Sequence, residues 1–249
     1  MPDNGLSRKK ISIVIPALNE EKLIRRTLSQ FEDNFKKDHD LEIIVSDGGS
    51  TDKTPEISEE LADRVILKNK NIPQNISRGR NEGAKNSSGD VLVFLNADTY
   101  IKDIGYFMRV IETEFSGGNI SALACRIKVF PDEEILSDRM FHGFYNNYVR
   151  FLNKFLMGMG RGECHIVLRE KFFEVKGYDE KMIAGEDFDL YRRLRKTGKI
   201  KFIDDLIIYE SPRRYRKYGY TKVFWNWTIN SISVFLFNRS VSKSWDPVR

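Results

Sequence analysis

The first hundred residues alternate between short apolar runs and longer segments with helical spacing, and this alternation limits the fold more than any other feature. Apolar runs with the length of buried strands occupy residues 11–15, 41–46, 64–68 and 91–95. A helical pattern over residues 19–35 follows the first run, which we expect Pro16 to end. Such alternation predicts an α/β fold in which helices cover a mostly parallel sheet.

Composition narrows the class of protein without naming a function. The 249 residues carry 41 Lys and Arg against 36 Asp and Glu, so a net charge of +5 is spread over a chain that is 41% hydrophobic. This composition is too apolar for a disordered chain and too charged for a membrane bundle. The weak positive field suits anionic phosphates of any kind, so the net charge alone does not choose between nucleic acid and a smaller ligand. From the motifs described below we expect no nucleic acid partner. The polar residues 1–10 predict no secretory signal, and Cys125 and Cys164 match no disulfide or metal pattern, which favours the cytoplasm.

Three acidic groups stand where predicted strands or turns end. Asp47 follows the second strand, Asp98 follows the fourth, and Glu186 and Asp187 follow a glycine. A single carboxylate in such a place usually caps a turn or a helix. Three groups at the ligand-binding edge of a parallel sheet instead indicate a nucleotide with Mg²⁺ or Mn²⁺.

Four motifs in one order carry a resemblance to a known family. They are ISIVIPALNE at residues 11–20, VSDGGSTD at 45–52, GD at 89–90 leading to NAD at 96–98, and GED at 185–187. In this order and spacing the chain resembles the family 2 glycosyltransferases with the GT-A fold, over residues 10–205. The resemblance implies a Rossmann-like, mostly parallel sheet flanked by helices. It also implies a GT-A glycosyltransferase domain at residues 1–210 and a basic, aromatic C-terminal helical extension at 211–249.

The resemblance further implies a nucleotide-sugar donor carrying UDP or GDP, with Asp47 reading the base. The expected nucleotide-binding residues are Pro16, Ala17, Glu20, Asp47, Arg78, Arg80, Asn81, Asn96, Ala97 and Asp98. A solvated helix face is the alternative for Arg78 and Arg80. Rival functions are a nucleotidyltransferase, and a non-catalytic module that binds nucleotide sugars or nucleic acid.

Asp98 matches the metal-binding carboxylate of the family, so the resemblance implies Mg²⁺ or Mn²⁺ as the cofactor. The chain departs from the family at two positions. Asn96 replaces an aspartate and adds no charge, and the segment Tyr209-Glu210-Ser211-Pro212 lies where many relatives place a metal-binding histidine. We expect His165, within a predicted strand, to be a core or rim histidine.

Glu186 and Asp187 match the pair that contains the family's catalytic base. We expect Asp187 to be the base of an inverting transfer and Glu186 to bind the acceptor hydroxyl or support the helix start, with the swapped assignment left open. The resemblance places Gly160, Arg161 and Gly162 near the acceptor, although Arg161 could equally be a surface arginine in a mobile loop.

The basic and aromatic end of the chain points to the acceptor side. We expect Arg213 and Arg214 to bind the diphosphate or an anionic acceptor, which could be a lipid phosphate or a glycan in cell-envelope or polysaccharide biosynthesis. Residues 221–238 form a helix with a wide apolar face. Packing on the domain or on a second copy is favoured over peripheral contact with the inner face of a membrane.

Overall fold

The computed structural model describes residues 9–69, 71–242 and 248, which form one eight-stranded sheet with helices around it. The strands are β1 (Ile11–Ala17), β2 (Leu41–Asp47), β3 (Arg64–Leu67), β4 (Val91–Leu95), β5 (Thr99–Ile101), β6 (Ile120–Val129), β7 (Cys164–Leu168) and β8 (Lys199–Glu210). The helices are α1 (Ile24–Leu28), α2 (Asp33–Asp38), α3 (Thr54–Leu61), α4 (Ile76–Lys85), α5 (Ile104–Ser116), α6 (Leu136–Phe155), α7 (Arg169–Glu174), α8 (Glu186–Leu194), α9 (Arg213–Tyr218) and α10 (Tyr220–Phe237). The predicted polar segment at residues 1–10 lies mainly outside the described residues.

The sheet runs in the order β3-β2-β1-β4-β7-β6-β8-β5. Its first four strands are parallel, β7 is antiparallel to both neighbours, β6 and β8 are parallel, and β5 is antiparallel to β8. The predicted α/β fold with a mostly parallel sheet is therefore confirmed. The carboxyl ends of β1, β2 and β4 meet at one edge.

Alternate residues of the strands enter two cores on opposite faces of the sheet. Ile13 and Ile15 of β1 join a cluster with α1 and α5, whereas Val14 joins a second cluster with α4, α7 and α8. A third, smaller cluster joins α6, α8 and α10. The sheet is therefore buried on both faces, as expected for nearly continuous apolar strands. None of the described helices is both long and apolar enough to cross a membrane.

The single helix predicted over residues 19–35 is wrong. Asn19 adopts a left-handed φ of 54°, and its side chain accepts a hydrogen bond from the Thr51 backbone. The Glu20 backbone donates to the Thr54 hydroxyl. These bonds tie the segment to the β2–α3 turn, so helix begins only at Ile24 and then breaks into α1 and α2.

Two other local predictions also need correction. Pro16 does not end β1, which continues to Ala17 beside the end of β2. The glycine-rich segment at 158–162 was predicted to be a mobile loop, but it is packed: a Cβ on Gly158 would lie 2.2 Å from the Tyr191 carbonyl oxygen. Only glycine allows that approach, so this segment is a fixed wall beside α8.

Two helical glycines provide a matched test of the packing. A Cβ on Gly83 in α4 would lie 2.2 Å from Cγ1 of buried Val14, whereas a Cβ on Gly143 in α6 would meet nothing within 4 Å. We expect Gly83→Ala to lower the free energy of unfolding by about 1–3 kcal/mol through overpacking. Gly143→Ala should raise it by roughly 0.5–1 kcal/mol through helix propensity. Denaturant titration measures both, and stabilisation by both substitutions would contradict the α4–β1 packing.

Candidate active site

The carboxyl ends of β1, β2 and β4 open into a cavity of about 730 Å³. This volume is within the range of small-molecule sites. Side chains from both ends of the chain line the cavity, because α9 and α10 fold back over the sheet edge. The sequence-predicted residues in its lining are Pro16, Ala17, Glu20, Arg80, Asn96, Ala97, Asp98, Arg161, Gly162, Glu186, Asp187, Arg213 and Arg214.

Asp47 lies beside the cavity, and one of its two carboxylate oxygens has no hydrogen-bond partner among the described residues. Its Oδ2 accepts hydrogen bonds from the backbone N–H groups of Gly49 and Ser50, at 2.8 and 3.0 Å. Its Oδ1 is buried and has no hydrogen-bond partner among the described residues. Ser46 and Gly48, on either side of it, line the cavity. A buried acceptor without a donor is costly, so this oxygen is suited to a ligand N–H.

Arg213 of α9 bridges the ends of two strands across the cavity. Its Nη2 lies 2.9 and 2.7 Å from the two carboxylate oxygens of Glu20 and 3.0 Å from Oδ2 of Asp98. Burial lowers the pKa of Arg213, but the charges of Asp98 and Glu20 outweigh burial and raise it. The guanidinium therefore stays charged where strand-end carboxylates meet. Arg214, the next residue, is half-buried in the cavity wall.

The oxygen donors around Asp98 decide how a divalent cation could be held. Among the described residues, no three His, Cys, Asp or Glu side chains group as metal ligands. The Asn96 amide oxygen accepts from Arg80 at 3.1 Å, and Glu210 is bonded to Arg161. Asp98 is thus the carboxylate that fits a cation, and its present partner is Arg213. Mg²⁺ commonly uses one or two protein carboxylates together with substrate phosphates, so the donor set fits an ion shared with a phosphate ligand.

Arg80 is buried beside the cavity, with only 1% of its surface exposed. Its guanidinium donates to Oε1 of Glu186 at 3.0 Å, to Asn96 and to the carbonyl oxygen of Gly162 at 2.6 Å. The alternative of a solvated helix face is therefore wrong for Arg80. One side chain fixes three separate segments of the cavity wall.

Three sequence-predicted nucleotide residues, including Asp47, are absent from the cavity lining, and two of them face away from it. Arg78 forms a 2.9 Å ion pair with Glu180, and Asn81 donates to the Tyr178 carbonyl and to Glu180. The α4 residues that line the cavity are Ile76, Gly79 and Arg80. Arg78 and Asn81 instead attach the helix to residues 178–180, so the structure places them as supports of α4.

Glu186 and Asp187 begin α8 but have different surroundings. Gly185 precedes them with a left-handed φ of 81°, which favours glycine. Glu186 is held by Arg80, whereas Asp187 lies in the cavity wall, and its Oδ2 is 3.7 Å from where a Cβ on Gly162 would lie. Burial, followed by the negative charge of Glu186, raises the pKa of Asp187 to about 7. Asp187 can therefore exchange a proton near neutral pH.

Arg161 belongs to a buried ionic cluster, so the expectation of a surface arginine is wrong. It is 4% exposed, and its Nη2 lies 3.0 Å from Glu163 and 3.1 Å from Glu210. Burial and the charge of Glu163 raise the pKa of Glu210 well above its usual range, and the Tyr215 hydroxyl donates to Glu210 at 2.9 Å. The guanidinium of Arg161 lowers the pKa of Glu163, whereas burial and the charge of Glu163 keep the pKa of Glu210 high.

Glu163 and Tyr215 were not selected from the sequence, because neither lies in one of the four motifs and only the fold brings them together around Arg161. Glu163 lies two residues from Arg161, a spacing that is also common for surface ion pairs. The structure shows that this pair is buried. Packing explains why glycine occupies position 160, since a Cβ there would lie 2.4 Å from the Tyr191 ring. His165 is buried and bonded to the Tyr178 hydroxyl, as expected for a core histidine.

The sequence also matches known proteins. The model of a family described as glycosyl transferase family 2 matches residues 12–174. A relative from Methanococcus voltae is named dolichyl N-acetyl-alpha-D-glucosaminyl phosphate 3-beta-D-2,3-diacetamido-2,3-dideoxy-beta-D-glucuronosyltransferase. It is 29% identical over 206 residues, which cover 76% of this chain and 62% of the relative. The chain thus spans less than two thirds of that relative's length.

A second relative and two solved structures extend the comparison. GalNAc(5)-diNAcBac-PP-undecaprenol beta-1,3-glucosyltransferase of Campylobacter jejuni is 25% identical, covering 86% of this chain and 72% of that protein. A Pyrobaculum calidifontis mannosyltransferase solved with GDP-Man and Mn²⁺ superimposes with a TM-score of 0.69 at 19% identity, covering 90% of this chain and 62% of that one. Glucosyl-3-phosphoglycerate synthase of Mycobacterium tuberculosis, solved with Mn²⁺ and UDP, gives 0.60 at 18% identity, covering 92% and 79%. These structures share the GT-A type of fold with this chain.

The buried cluster makes a testable contribution to stability. We expect Arg161→Met to lower the free energy of unfolding by about 3–5 kcal/mol at neutral pH, because it leaves Glu163 buried without a cation. The loss should shrink on acidification, since a protonated Glu163 no longer needs the guanidinium. Arg25→Met removes a solvent-exposed pair with Glu60 and should change stability little. Equal losses for the two variants in denaturant titrations would contradict the burial of Arg161.

Proposed function

The chain belongs to glycosyl transferase family 2, and on that premise we propose that it transfers a sugar from a nucleoside-diphosphate sugar to an acceptor hydroxyl or phosphate. The observation that carries the proposal is the cavity, which is lined by Asp98, Arg213 and Asp187 and by Ser46 and Gly48 on either side of Asp47. These groups supply the three functions that such a transfer needs: base binding, diphosphate binding and proton removal.

The donor is proposed to lie with its base towards Asp47 and its diphosphate towards Asp98 and Arg213. The unpartnered Oδ1 of Asp47 accepts a ring N–H, which both uracil and guanine offer. Arg213 moves from Glu20 and Asp98 to the phosphates, because a doubly charged diphosphate competes well for a guanidinium. The solved neighbours contain either GDP-Man or UDP, which supports this class of donor without selecting a base.

Asp98 is the proposed ligand of Mg²⁺ or Mn²⁺, shared with the donor phosphates. When bound, such an ion would neutralise charge on the diphosphate leaving group. Asn96 contributes an amide that Arg80 already holds, so it adds no charge to the site. The Mn²⁺ in the two solved neighbours supports this choice of ion.

Asp187 is the proposed general base. It removes the acceptor proton while the acceptor oxygen bonds to the anomeric carbon, and the bond from that carbon to the diphosphate oxygen breaks with its electron pair leaving on the diphosphate. Attack from the opposite face gives inversion. Glu186 is held by Arg80, which favours Asp187 over Glu186 for this role. Gly162 leaves room beside Asp187 for the acceptor.

The acceptor is proposed to be lipid-linked, at the cytoplasmic face of a membrane and in cell-envelope glycan synthesis. The names of the Methanococcus and Campylobacter relatives contain dolichyl phosphate and PP-undecaprenol. Arg214 in the cavity wall is the proposed contact for a lipid phosphate. Residues 211–249 would then act as an acceptor-side extension of the transferase domain at 1–210.

A thermal-shift screen of UDP- and GDP-sugars with Mn²⁺ or Mg²⁺ tests the donor site. We expect one nucleotide sugar to raise the melting temperature of the wild type in a metal-dependent way. Asp98→Ala should lose the metal dependence, because it removes the carboxylate ligand. Asp187→Asn should keep donor binding and lose transfer and donor hydrolysis. Failure of every nucleotide sugar, or metal-dependent binding by Asp98→Ala, would refute the assignment.

The raised pKa of Asp187 predicts the pH dependence of the reaction. A protonated carboxyl cannot accept the acceptor proton, so kcat/KM should rise with pH and level off above about pH 7. Glu186→Gln removes the neighbouring negative charge that helps to raise this pKa, and the acid limb should therefore move to lower pH. A pH–rate profile of both proteins measures the shift. An unmoved limb would exclude Asp187 as the titrating base.

A further inference from the structure

Helix α6 exposes a continuous apolar stripe. The stripe side chains are Leu136, Met140, Phe144, Tyr148, Phe151 and Phe155, and between 41% and 69% of each is exposed. Their spacing of three and four residues places them along one side of the helix. The opposite side is already buried in the protein through Tyr145, Val149 and Leu152. The stripe is therefore an additional apolar surface beyond the one that holds α6 in the fold.

Helix α10 adds a second exposed stripe beside the first. Its members are Trp225, Ile229, Ile232, Phe235 and Leu236, each about half exposed. The helix is anchored on the other side by Val223, Asn230 and Val234, which are buried. The two helices touch where the rings of Phe144 and Phe224 lie 5.9 Å apart. Together the exposed stripes form one surface, the α6–α10 face, and soluble proteins seldom leave such a large apolar area uncovered.

The charges on the α6–α10 face all have the same sign. Lys154 lies in the last turn of α6 and Lys222 in the first turns of α10, and both are exposed. Lys217 and Lys222 both lie 5.3 Å from the ring of Tyr218. The only carboxylate in either helix is Asp138, which is fully buried and paired with Arg216. The face is therefore apolar, aromatic and basic.

This pattern distinguishes a membrane from a second copy of the chain. A two-fold dimer pairs a surface with itself, so the basic side chains of α6 and α10 would face the basic side chains of the same helices. The carboxylates that adjoin α6, Glu134 and Asp204, are already paired with Arg139 and Arg150. An anionic bilayer offers acyl chains to the apolar stripes and phosphates to the lysines. Trp and Tyr side chains also favour the headgroup region.

We propose that the α6–α10 face lies on the surface of an anionic bilayer, with both helices parallel to the membrane plane. Tyr145 of α6 and Trp227, Asn230 and Ser231 of α10 line the cavity. The two helices that carry the exposed face therefore also line the cavity with their buried sides. Resting on the proposed function, docking would hold the cavity and Asp187 close to a lipid-linked acceptor. Each exposed lysine of this face adds electrostatic attraction to anionic lipid, and burial of each apolar side chain in the bilayer adds to it.

Vesicle flotation of the full chain tests the proposal. We expect the wild type to float with vesicles of phosphatidylglycerol and phosphatidylcholine, and much less with phosphatidylcholine alone. The triple variant Phe151→Ser, Trp225→Ser, Ile232→Ser should bind at least about tenfold more weakly, because it removes three apolar contacts. The double variant Lys154→Glu, Lys222→Glu should lose the preference for phosphatidylglycerol.

Leu67→Ser with Ile72→Ser is the matched control, since both side chains are exposed and apolar but lie at the β3 end of the sheet. This control should float as the wild type does. Wild type that stays with the unbound fraction, or a triple variant that floats equally well, would overturn the proposal. So would a wild-type dimer in sedimentation equilibrium that the triple variant dissociates.

Nucleotide-sugar binding in the thermal-shift assay separates this proposal from the proposed function. The triple variant changes no residue of the cavity lining, so it should bind the donor as the wild type does. Flotation without any donor binding would refute the proposed function and support the membrane face. Donor binding without flotation would support the proposed function and refute the membrane face.

Discussion

The site depends on one buried guanidinium. Arg80 of α4 reaches Glu186 at the start of α8, Asn96 after β4 and the carbonyl of Gly162 before β7. These segments are far apart in sequence, and each carries part of the cavity wall. A buried charge is tolerated only when its partners satisfy it, so the bonds of Arg80 fix all three at once. The distance between Asp187 and Gly162, where we place the acceptor, follows from this arrangement.

The remaining charges are arranged so that the cavity has both a cation and a base available. Arg161 is bonded to Glu163 and Glu210, and only 2% of its side chain is exposed. Arg213 lies between Glu20 and Asp98, and 22% of its side chain is exposed. A phosphate can therefore compete for Arg213 but not readily for Arg161. Burial, followed by the charge of Glu186, raises the pKa of Asp187 to about 7. Arg213 is suited to bind a diphosphate leaving group, and Asp187 is suited to accept a proton from an acceptor hydroxyl.

The sequence predicted the parallel strands and the aspartates at their ends because both signals are local. β1, β2 and β4 are apolar runs, Asp47 is the last residue of β2, and Asp98 lies three residues after β4. Features that depend on distant partners were missed. The helix begins only at Ile24 because Asn19 and Glu20 are bonded to Thr51 and Thr54. Arg80 rather than Arg78 reaches the cavity because of the face of α4 that meets residues 178–180. The exposed apolar stripe of α6 was missed because exposure cannot be read from its apolar spacing.

We propose that one nucleotide sugar spans the cavity from Asp47 to Asp187. A crystal structure of the chain with Mn²⁺ and the donor that stabilises it most would show whether it does. We expect the base within hydrogen-bond distance of Oδ1 of Asp47, the diphosphate beside Asp98 with Arg213 released from Glu20, and the anomeric carbon on the side of Asp187. A donor bound outside this cavity, or with its base at Asp187, would refute this placement.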